Sequence, residues 1–351
     1  MSGIEERKLS HIDLCIDADV ESRGTTLLEQ VRLFHEALPE LSCSEIDASI
    51  EVMGRRLQAP ILISSMTGGV ARGQELNRAF ATVAQKFGLG IGVGSQRAML
   101  AQPELAATYQ VRDVAPDALL LANIGAVQVR DASSAQIAEL VEAIRADALC
   151  VHLNAAQELV QDEGDRDFRG CLDAIARLVS ELAVPLVVKE TGCGLGPTTL
   201  ARLHQVGVRW VDVAGAGGTT WTGVEALRGS RRQRALGAEL REWGVPTAAA
   251  VVFARRAGLR VIASGGVRSA LDAVRALALG AEAVSLALPF LRAHAERGEQ
   301  GVFETAEQLS EGIRALMLLT GRRRVADLRH APRVIGPELQ AWIEGRGSHA
   351  D

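Results

Sequence analysis

One pattern repeats along most of the chain: a short run of aliphatic residues, then a small or polar cluster, then a stretch with helical periodicity. The runs are nearly continuous in apolar residues rather than alternating, which predicts strands covered on both faces, as in parallel sheets. Eight such strands are predicted, at residues 60–64, 90–93, 118–122, 149–153, 185–188, 209–213, 260–263 and 282–286. Eight strand-then-helix units favour an α/β fold of the (β/α)8 TIM-barrel type over an open sheet, because closure leaves no edge and eight is its usual strand number.

The segments between the strands carry helix signals. Ser133 and Gln136 form a capping-box pattern ahead of an apolar helical stripe. After the seventh strand, Ser269 is expected to cap a helix that Gly280 ends in the left-handed conformation. The interval between the sixth and seventh strands is long enough for an extra helical segment at residues 222–242.

We expect three parts in the chain. Residues 1–59 form an N-terminal extension that covers the bottom or rim of the barrel and contributes to the substrate site. Residues 60–304 form the barrel, and residues 305–351 form a final helix and a surface tail.

The composition excludes several classes of protein. Hydrophobic residues make up 48% and charged residues 23% of the 351, which is typical of a globular protein. The net charge of -5, with only seven Phe, four Trp and one Tyr, disfavours a nucleic-acid binder. The longest apolar stretch, residues 247–254, is too short to span a membrane and the N-terminus lacks an apolar signal core, so we expect a cytoplasmic protein without a membrane partner. Five widely spaced cysteines without a CxxC pair indicate neither a disulfide framework nor a zinc site.

In a barrel of this kind function lies at the C-terminal ends of the strands, and the residues that follow each predicted strand are unusually polar. Turns and helix caps explain any one of these clusters. They do not explain why all eight are polar or why several carry large functional side chains. Those side chains are Arg97, Asn123, His152, Lys189 and Thr219.

Glycines follow the sixth, seventh and eighth strands. They expose backbone N–H groups with a helix N-terminus behind them, an arrangement that binds anions. Residues 263–284 therefore indicate a bound phosphate monoester, such as that of FMN or of a sugar. Lys189 ends the fifth strand and could place its charge against N1 and the C2 carbonyl of a flavin; the alternative is a structural ion pair with Glu190.

The segment HLNAAQE offers a second kind of site. Glu158 is a hard oxygen ligand of the kind that Mg²⁺ prefers, together with substrate phosphates and water. Gln157 and Asn154 add amide groups, and His152 could donate to an anion.

Other candidates are weaker taken alone. Arg7 and Lys8 could close over the barrel mouth as a diphosphate clamp, although an isolated charge pair is more often solvated. Nothing near Cys193 in sequence marks its thiol as an activated nucleophile. Asp212, late in the sixth strand, could simply accept hydrogen bonds.

These residues fall into motifs that occur together in one family. The motifs are RKxxH at 7–11, SMTGG at 65–69, GSQR at 94–97, NIGA at 123–126, HLNxxQE followed by EGDRxFxG up to 170, VKExGxG at 188–194 and GxGGTxW ending at 221. On them the chain resembles the type 2 isopentenyl-diphosphate isomerases, FMN-dependent barrel enzymes, over essentially its whole length. The combination HLNxxQExxxxEGDR is the most specific, since other flavin barrels share the glycine motifs.

The resemblance implies a role for individual residues. FMN would be held by Ser65, Met66, Thr67, Gly68, Ser95, Asn123, Lys189, Thr219, Gly265, Gly266, Ala287 and Leu288. The isoprenoid diphosphate would be bound by Arg7, Lys8, His11, Ser95, Arg97, His152, Asn154 and Gln157, and Mg²⁺ by Glu158. Ala214, Ala216 and Cys193 depart from the family pattern, which affects fine contacts rather than the reaction.

The resemblance also implies an activity. The enzyme would convert isopentenyl diphosphate to dimethylallyl diphosphate by adding one proton and removing another, with N5 of reduced FMN as the acid-base group. Gln157, His152 and Lys189 would act beside the flavin as catalytic residues. NADPH would serve only to keep FMN reduced, and the family resemblance suggests a homo-oligomer, a tetramer or an octamer.

Two other functions stay open. An FMN-dependent 2-hydroxy-acid oxidase has a similar SGGVR segment, but it needs a His-Gly base near the seventh strand, and no histidine lies between His204 and His294. A non-catalytic barrel that binds flavin or phosphate would bind FMN and leave isopentenyl diphosphate unchanged.

Overall fold

The computed structural model describes residues 3–345, and it confirms the closed parallel barrel. The strands are β1 Val31–Leu33, β2 Ile50–Val52, β3 Arg55–Leu57, β4 Ile61–Ile63, β5 Gly90–Gly92, β6 Leu119–Gly125, β7 Ala148–Leu153, β8 Leu186–Glu190, β9 Trp210–Asp212, β10 Arg260–Ala263, β11 Ala283–Leu286 and β12 Arg333–Ile335. Strands β4 to β11 form the barrel in chain order, with β11 beside β4. All eight predicted strands are therefore present, each at its predicted place within a few residues.

Helices surround the barrel. They are α1 Gly3–Asp17, α2 Ala71–Phe87, α3 Arg97–Ala101, α4 Ala126–Asp131, α5 Ser134–Ala143, α6 Ala155–Val160, α7 Cys171–Glu181, α8 Pro197–Gln205, α9 Trp221–Arg228, α10 Arg231–Glu239, α11 Thr247–Arg256, α12 Ala270–Leu279, α13 Leu288–Leu319 and α14 Pro337–Glu344. Short 3₁₀ helices lie at Leu28–Gln30, Cys43–Glu45, Pro103–Thr108 and Val325–His330. Between residues 3 and 345, no helix is long and apolar enough to cross a membrane.

The predicted helix signals are confirmed. Gln136 donates its backbone N–H to Ser133 Oγ at 3.3 Å, and the Ser133 N–H donates to the Gln136 side chain at 2.9 Å. Ser269 Oγ accepts from the Asp272 N–H at 3.1 Å, and Gly280 ends α12 with a φ of 110°. Helices α9 and α10 fill the long interval between β9 and β10.

The N-terminal extension covers both ends of the barrel. At the bottom, Val52 and Leu57 of the β2–β3 hairpin pack into the apolar cluster that fills the barrel interior, which includes Leu62, Leu119 and Ile262. At the opposite end, α1 lies over the mouth of the barrel. Burial of these apolar side chains fixes the hairpin as a plug and leaves the polar end free for a site.

Helix α13 begins earlier than predicted. It consists of two helical segments: the first follows β11 directly at Leu288, the second ends at Leu319, and a kink with non-helical dihedrals at Arg297 and Gly298 separates them. The expected division between residues 304 and 305 therefore falls inside a helix, and the predicted helix start at Thr305 is too late. Beyond α13, β12 pairs antiparallel with β1, so the tail is joined to the N-terminal extension.

Candidate active site

A single deep cavity opens at the C-terminal ends of the barrel strands, under α1. The residues proposed from the sequence meet here, and of that set only Gly68 lies outside the lining. Those that line it are Arg7, Lys8, His11, Ser65, Met66, Thr67, Ser95, Arg97, Asn123, His152, Asn154, Gln157, Glu158, Lys189, Thr219, Gly265, Gly266, Ala287 and Leu288.

A glycine cradle forms one side of the cavity. Gly265 and Gly266 have φ values of 90° and 71°, a conformation that other residues rarely adopt. A Cβ on Gly266 would meet the carbonyl oxygen of Gly217 at 2.5 Å. Helix α13 begins beside them at Leu288, and no side chain caps its N-terminus. Free amides and a positive helix end suit a phosphate monoester.

A buried lysine near the end of β8 lines the cavity. Lys189 Nζ donates to Asp212 Oδ2 at 3.0 Å and to Ser264 Oγ at 3.3 Å, and Ser264 Oγ donates to Asp212 Oδ1. The alternative ion pair between Lys189 and Glu190 is wrong, because neighbouring residues on a strand point to opposite faces.

Glu190 instead organises the loop after β8. Its Oε2 accepts from the backbone N–H groups of Thr191 at 2.7 Å, Gly192 at 2.6 Å and Gly194 at 3.2 Å, and from that of Cys193. Burial raises the pKa of Glu190 to about 7 against the effect of these hydrogen bonds. Burial also raises the pKa of the Cys193 thiol to about 12, so this cysteine stays protonated and is a poor nucleophile.

His152 stays neutral near pH 7. Desolvation first, and then the charges of Lys189 and Arg97, lower its pKa to about 4. Its Nδ1 lies 2.8 Å from the amide oxygen of Asn123, which can only accept, so Nδ1 carries the proton. The other ring nitrogen, Nε2, is then an acceptor. Donation from Nε2 to a substrate anion therefore requires a second proton on the ring.

Gln157 is held by a buried carboxylate that the sequence analysis missed. Glu225 on α9 has a side chain only 2% exposed; its Oε1 accepts from Gln157 Nε2 at 2.9 Å and lies 2.9 Å from His11 Nε2. Arg228 Nη1 donates to its Oε2 at 3.1 Å. Burial opposes ionisation, but the hydrogen bonds from His11 and Gln157 and the charge of Arg228 lower the pKa of Glu225 overall.

Lys8 is fixed by a second missed residue, Tyr109. The tyrosine hydroxyl donates to the Ser95 carbonyl at 2.8 Å and accepts from Lys8 Nζ at 3.0 Å. Lys8 also donates to the Gly68 carbonyl. Burial, and secondly the charge of Arg7, lowers the pKa of Lys8 to about 8. Tyr109 thus joins α1 to two rim loops.

Gly68 allows the backbone to pack against Tyr109 and does not line the cavity. A side chain at this position would collide with the Tyr109 ring, since a Cβ would lie 2.8 Å from Cζ and nearer still to other ring atoms. The ring is fully buried and cannot move aside. The glycine is needed for close packing behind the loop.

Both carboxylate oxygens of Glu158, the predicted Mg²⁺ ligand, already accept hydrogen bonds within the chain. Its Oε1 accepts from Asn154 Nδ2 and its Oε2 from the Asp165 N–H, both at 2.8 Å. Among residues 3–345, no three His, Cys, Asp or Glu side chains come close enough together to hold a metal ion. The donor set fits Mg²⁺ only if phosphate oxygens and water complete the octahedron, which is how Mg²⁺ usually binds with nucleotides and diphosphates.

The hydroxyl of Thr67 has no hydrogen-bond partner within the part of the chain that the structure describes, although it is buried in the cavity wall. Leaving such a group unsatisfied costs about 1–3 kcal/mol. A ligand with a donor or acceptor at this wall would remove that cost, and a flavin ring has several. Together with the glycine cradle and Lys189, Thr67 makes the cavity fit FMN.

Relatives with known names match nearly the whole chain. The isopentenyl-diphosphate delta-isomerase of Synechococcus sp. is 47% identical over 341 residues, which cover 96% of this chain and 97% of that protein. The protein of the same name from Halobacterium salinarum is 44% identical, covering 98% and 97%. That from Methanothermobacter thermautotrophicus is 42% identical, also covering 98% and 97%.

The barrel itself is more widely shared. The family described as FMN-dependent dehydrogenase matches residues 128–334. A solved structure of mandelate oxidase with (S)-2-phenylpropionate superposes with a TM-score of 0.63, covering 94% of this chain and 98% of that chain at 18% identity. That likeness shows the fold alone. The chain is a member of the FMN-dependent dehydrogenase family of barrels, and by its near full-length relatives it belongs to the isopentenyl-diphosphate delta-isomerase family.

Proposed function

We propose that the protein converts isopentenyl diphosphate to dimethylallyl diphosphate, with reduced FMN bound in the barrel mouth and Mg²⁺ on the substrate diphosphate. One observation carries the proposal. Residues that the resemblance assigns separately to flavin, diphosphate and metal line the same cavity, Gly68 excepted. Relatives named isopentenyl-diphosphate delta-isomerase, which match nearly the whole chain, support it.

The flavin would be held from three sides. Gly265 and Gly266, with the N-terminus of α13, would bind the phosphate. The Thr67 hydroxyl would hydrogen-bond to the ring, and Lys189 would face the pyrimidine end of the ring. When bound and reduced, FMN supplies at N5 a proton that ordinary side chains cannot readily deliver to an unactivated alkene.

The diphosphate would lie between α1 and the loops after β5 and β7. Arg7, Lys8 and Arg97 line this part of the cavity and carry the positive charge that a diphosphate requires. Asn154 adds an amide, and Glu158 would hold Mg²⁺ against the phosphate oxygens. These contacts orient the alkene and supply no proton themselves.

The remaining side chains would control water and orientation. Gln157 is not an acid or base near neutral pH, so its amide, fixed by Glu225, would orient the reacting end of the substrate. Ile12 and Cys15 of α1 add an apolar cover to the cavity, which would keep water from a developing cation. His152 and Lys189 would contribute hydrogen bonds and charge beside the ring.

We further propose that NADPH supplies the electrons that keep FMN reduced, and that the chain works as a homo-oligomer, a tetramer or an octamer, in the cytoplasm. Family resemblance supports these points. Anaerobic reduction of bound FMN by NADPH and sedimentation of the purified protein test them.

A 2-hydroxy-acid oxidase activity is the other enzyme function that the shared barrel suggests. It needs an imidazole base near the end of β10, where this chain has Ser264, Gly265 and Gly266. No histidine lies between His204 and His294. The sequence therefore disfavours this reaction. Consumption of 2-hydroxy acids by the flavoprotein would support the oxidase function instead.

Replacement of Glu158, the predicted Mg²⁺ ligand, tests the proposal. We expect Glu158→Gln to keep bound FMN, seen by its absorbance, and to lose most Mg²⁺-stimulated turnover of isopentenyl diphosphate under anaerobic conditions with NADPH. The matched control is Glu139→Gln, an exposed glutamate on α5 outside the motifs, which should behave as wild type. Full activity in Glu158→Gln contradicts the metal assignment, and wild-type protein that binds FMN yet leaves the substrate unchanged indicates a non-catalytic barrel.

A further inference from the structure

Lys189, Asp212 and Ser264 form a buried, hydrogen-bonded triad. A simple cation beside the flavin would suffice for the proposed reaction, yet here the cation is paired with a carboxylate. Strand register sets Lys189 of β8 directly beside Asp212 of β9, so both side chains enter the barrel at the same level. They come from positions 23 residues apart and meet at 3.0 Å. The lysine that would face a flavin is therefore half of an ion pair.

The pair is closed and fully satisfied on the aspartate side. Asp212 Oδ2 accepts from Lys189, while Oδ1 accepts from Ser264 Oγ and from the Ala214 N–H at 3.3 Å. Asp212 does not line the cavity, whereas Lys189 and Ser264 do. Only the cationic end of the pair can therefore touch a ligand, and the carboxylate acts through the lysine.

Asp212 is the one acidic side chain within 4 Å of Lys189 Nζ among the described residues. The neighbour of Lys189 on the other side, His152 of β7, is neutral near pH 7. A carboxylate 3.0 Å from Nζ offsets a substantial part of the lysine's charge as felt by a third group, because its Coulomb contribution has the opposite sign. Without it, a bound ring would face close to a full positive charge.

We propose that Asp212 is a positioning residue that holds Lys189 and attenuates its charge, and that it thereby sets the reduction potential of the bound flavin. The inference rests on the proposed binding of FMN. An unattenuated cation would stabilise the anionic reduced ring and would disfavour an extra proton on that ring. The ion pair keeps the reduced flavin able to carry the proton that the isomerisation needs.

The test is the midpoint potential of bound FMN, measured anaerobically against an indicator dye. We expect Asp212→Asn, which keeps the size and one acceptor oxygen, to raise the equilibrium constant for reduction about tenfold, which is about 30 mV for a two-electron couple. Lys189→Met should lower it. In the double variant, Asp212→Asn should add nothing to Lys189→Met, because the carboxylate acts only through the lysine.

A matched control and a second variant complete the test. Asp162→Asn removes an exposed carboxylate near the same rim and should leave the potential unchanged. Ser264→Ala removes the hydroxyl that joins the pair and should shift the potential upward by less than Asp212→Asn; it decides the matter if Asp212→Asn does not fold. An unmoved or lowered potential in the folded variants overturns the inference. Failure of wild-type protein to bind FMN would overturn the proposed function instead.

Discussion

The buried carboxylate of Glu225 gives the sharpest test of how the site is held. In Glu225→Gln the side chain keeps its shape and loses its charge. Its Oε1 accepts from both Gln157 and His11, and its Oε2 accepts from Arg228. Whichever way the new amide is turned, its NH₂ group faces at least one donor.

The cost follows from these contacts. Loss of one buried hydrogen bond to a charged group is worth about 1.5–3 kcal/mol. If Gln157 and α1 are then less well oriented, this free energy is lost from the transition state, and turnover falls about tenfold to a hundredfold. The affinity for FMN should not change, because the hydrogen bonds and ion pairs of Glu225 within residues 3–345 join it to Gln157, His11 and Arg228, none of which is assigned to the flavin.

The assay compares kcat/KM for isopentenyl diphosphate and the FMN dissociation constant in Glu225→Gln and in Glu239→Gln, an exposed glutamate on the next helix. The control should match wild type in both. Turnover of Glu225→Gln within about twofold of wild type, or weakened FMN binding with normal turnover, would show that Glu225 does not orient Gln157 for the reaction.

Four further predictions concern Thr67, Gly68 and Lys8. Thr67→Val removes an unsatisfied hydroxyl, so the free energy of unfolding of the FMN-free protein in urea should rise by about 1–3 kcal/mol, while the FMN dissociation constant rises about threefold to tenfold. Equal FMN affinity would contradict this prediction. Gly68→Ala forces a methyl group against the Tyr109 ring and should lower the free energy of unfolding by about 1–3 kcal/mol. An unchanged free energy of unfolding in the same assay would contradict this prediction. Because burial lowers the pKa of Lys8 from 10.5 to about 8, kcat/KM should fall as pH rises through about 8, and Lys8→Met should lose that step. The unfolded chain holds the Lys8 proton up to its ordinary pKa, so stability should rise between about pH 8 and 10.5, and a fall assigned to Lys8 would reverse the sign of the argument.

Local pattern predicted the elements because each barrel strand is a short apolar run between turn residues. The polar residues after those runs reached one cavity because parallel strands bring their C-terminal ends to the same side. The start of α13 was predicted too late because a kink at Arg297 and Gly298 interrupts the helix, and the predicted helix corresponds only to the segment after that kink.

Pairings between distant residues were not predictable in the same way. Lys189 lies next to Glu190 in sequence but pairs with Asp212, since register between strands, and not adjacency, decides which side chains meet. Tyr109 and Glu225 lie outside the motifs and act by holding Lys8 and Gln157. Nothing in one sequence marks a residue whose role is to orient another.

NMR of isopentenyl diphosphate in D₂O, with the FMN-loaded, NADPH-reduced protein and Mg²⁺ under anaerobic conditions, would observe the proposed isomerisation itself. We expect the terminal alkene signals to give way to those of dimethylallyl diphosphate, with deuterium entering the new methyl group and no net consumption of NADPH beyond flavin reduction. Unchanged alkene signals in a sample whose flavin is bound and reduced would contradict this expectation.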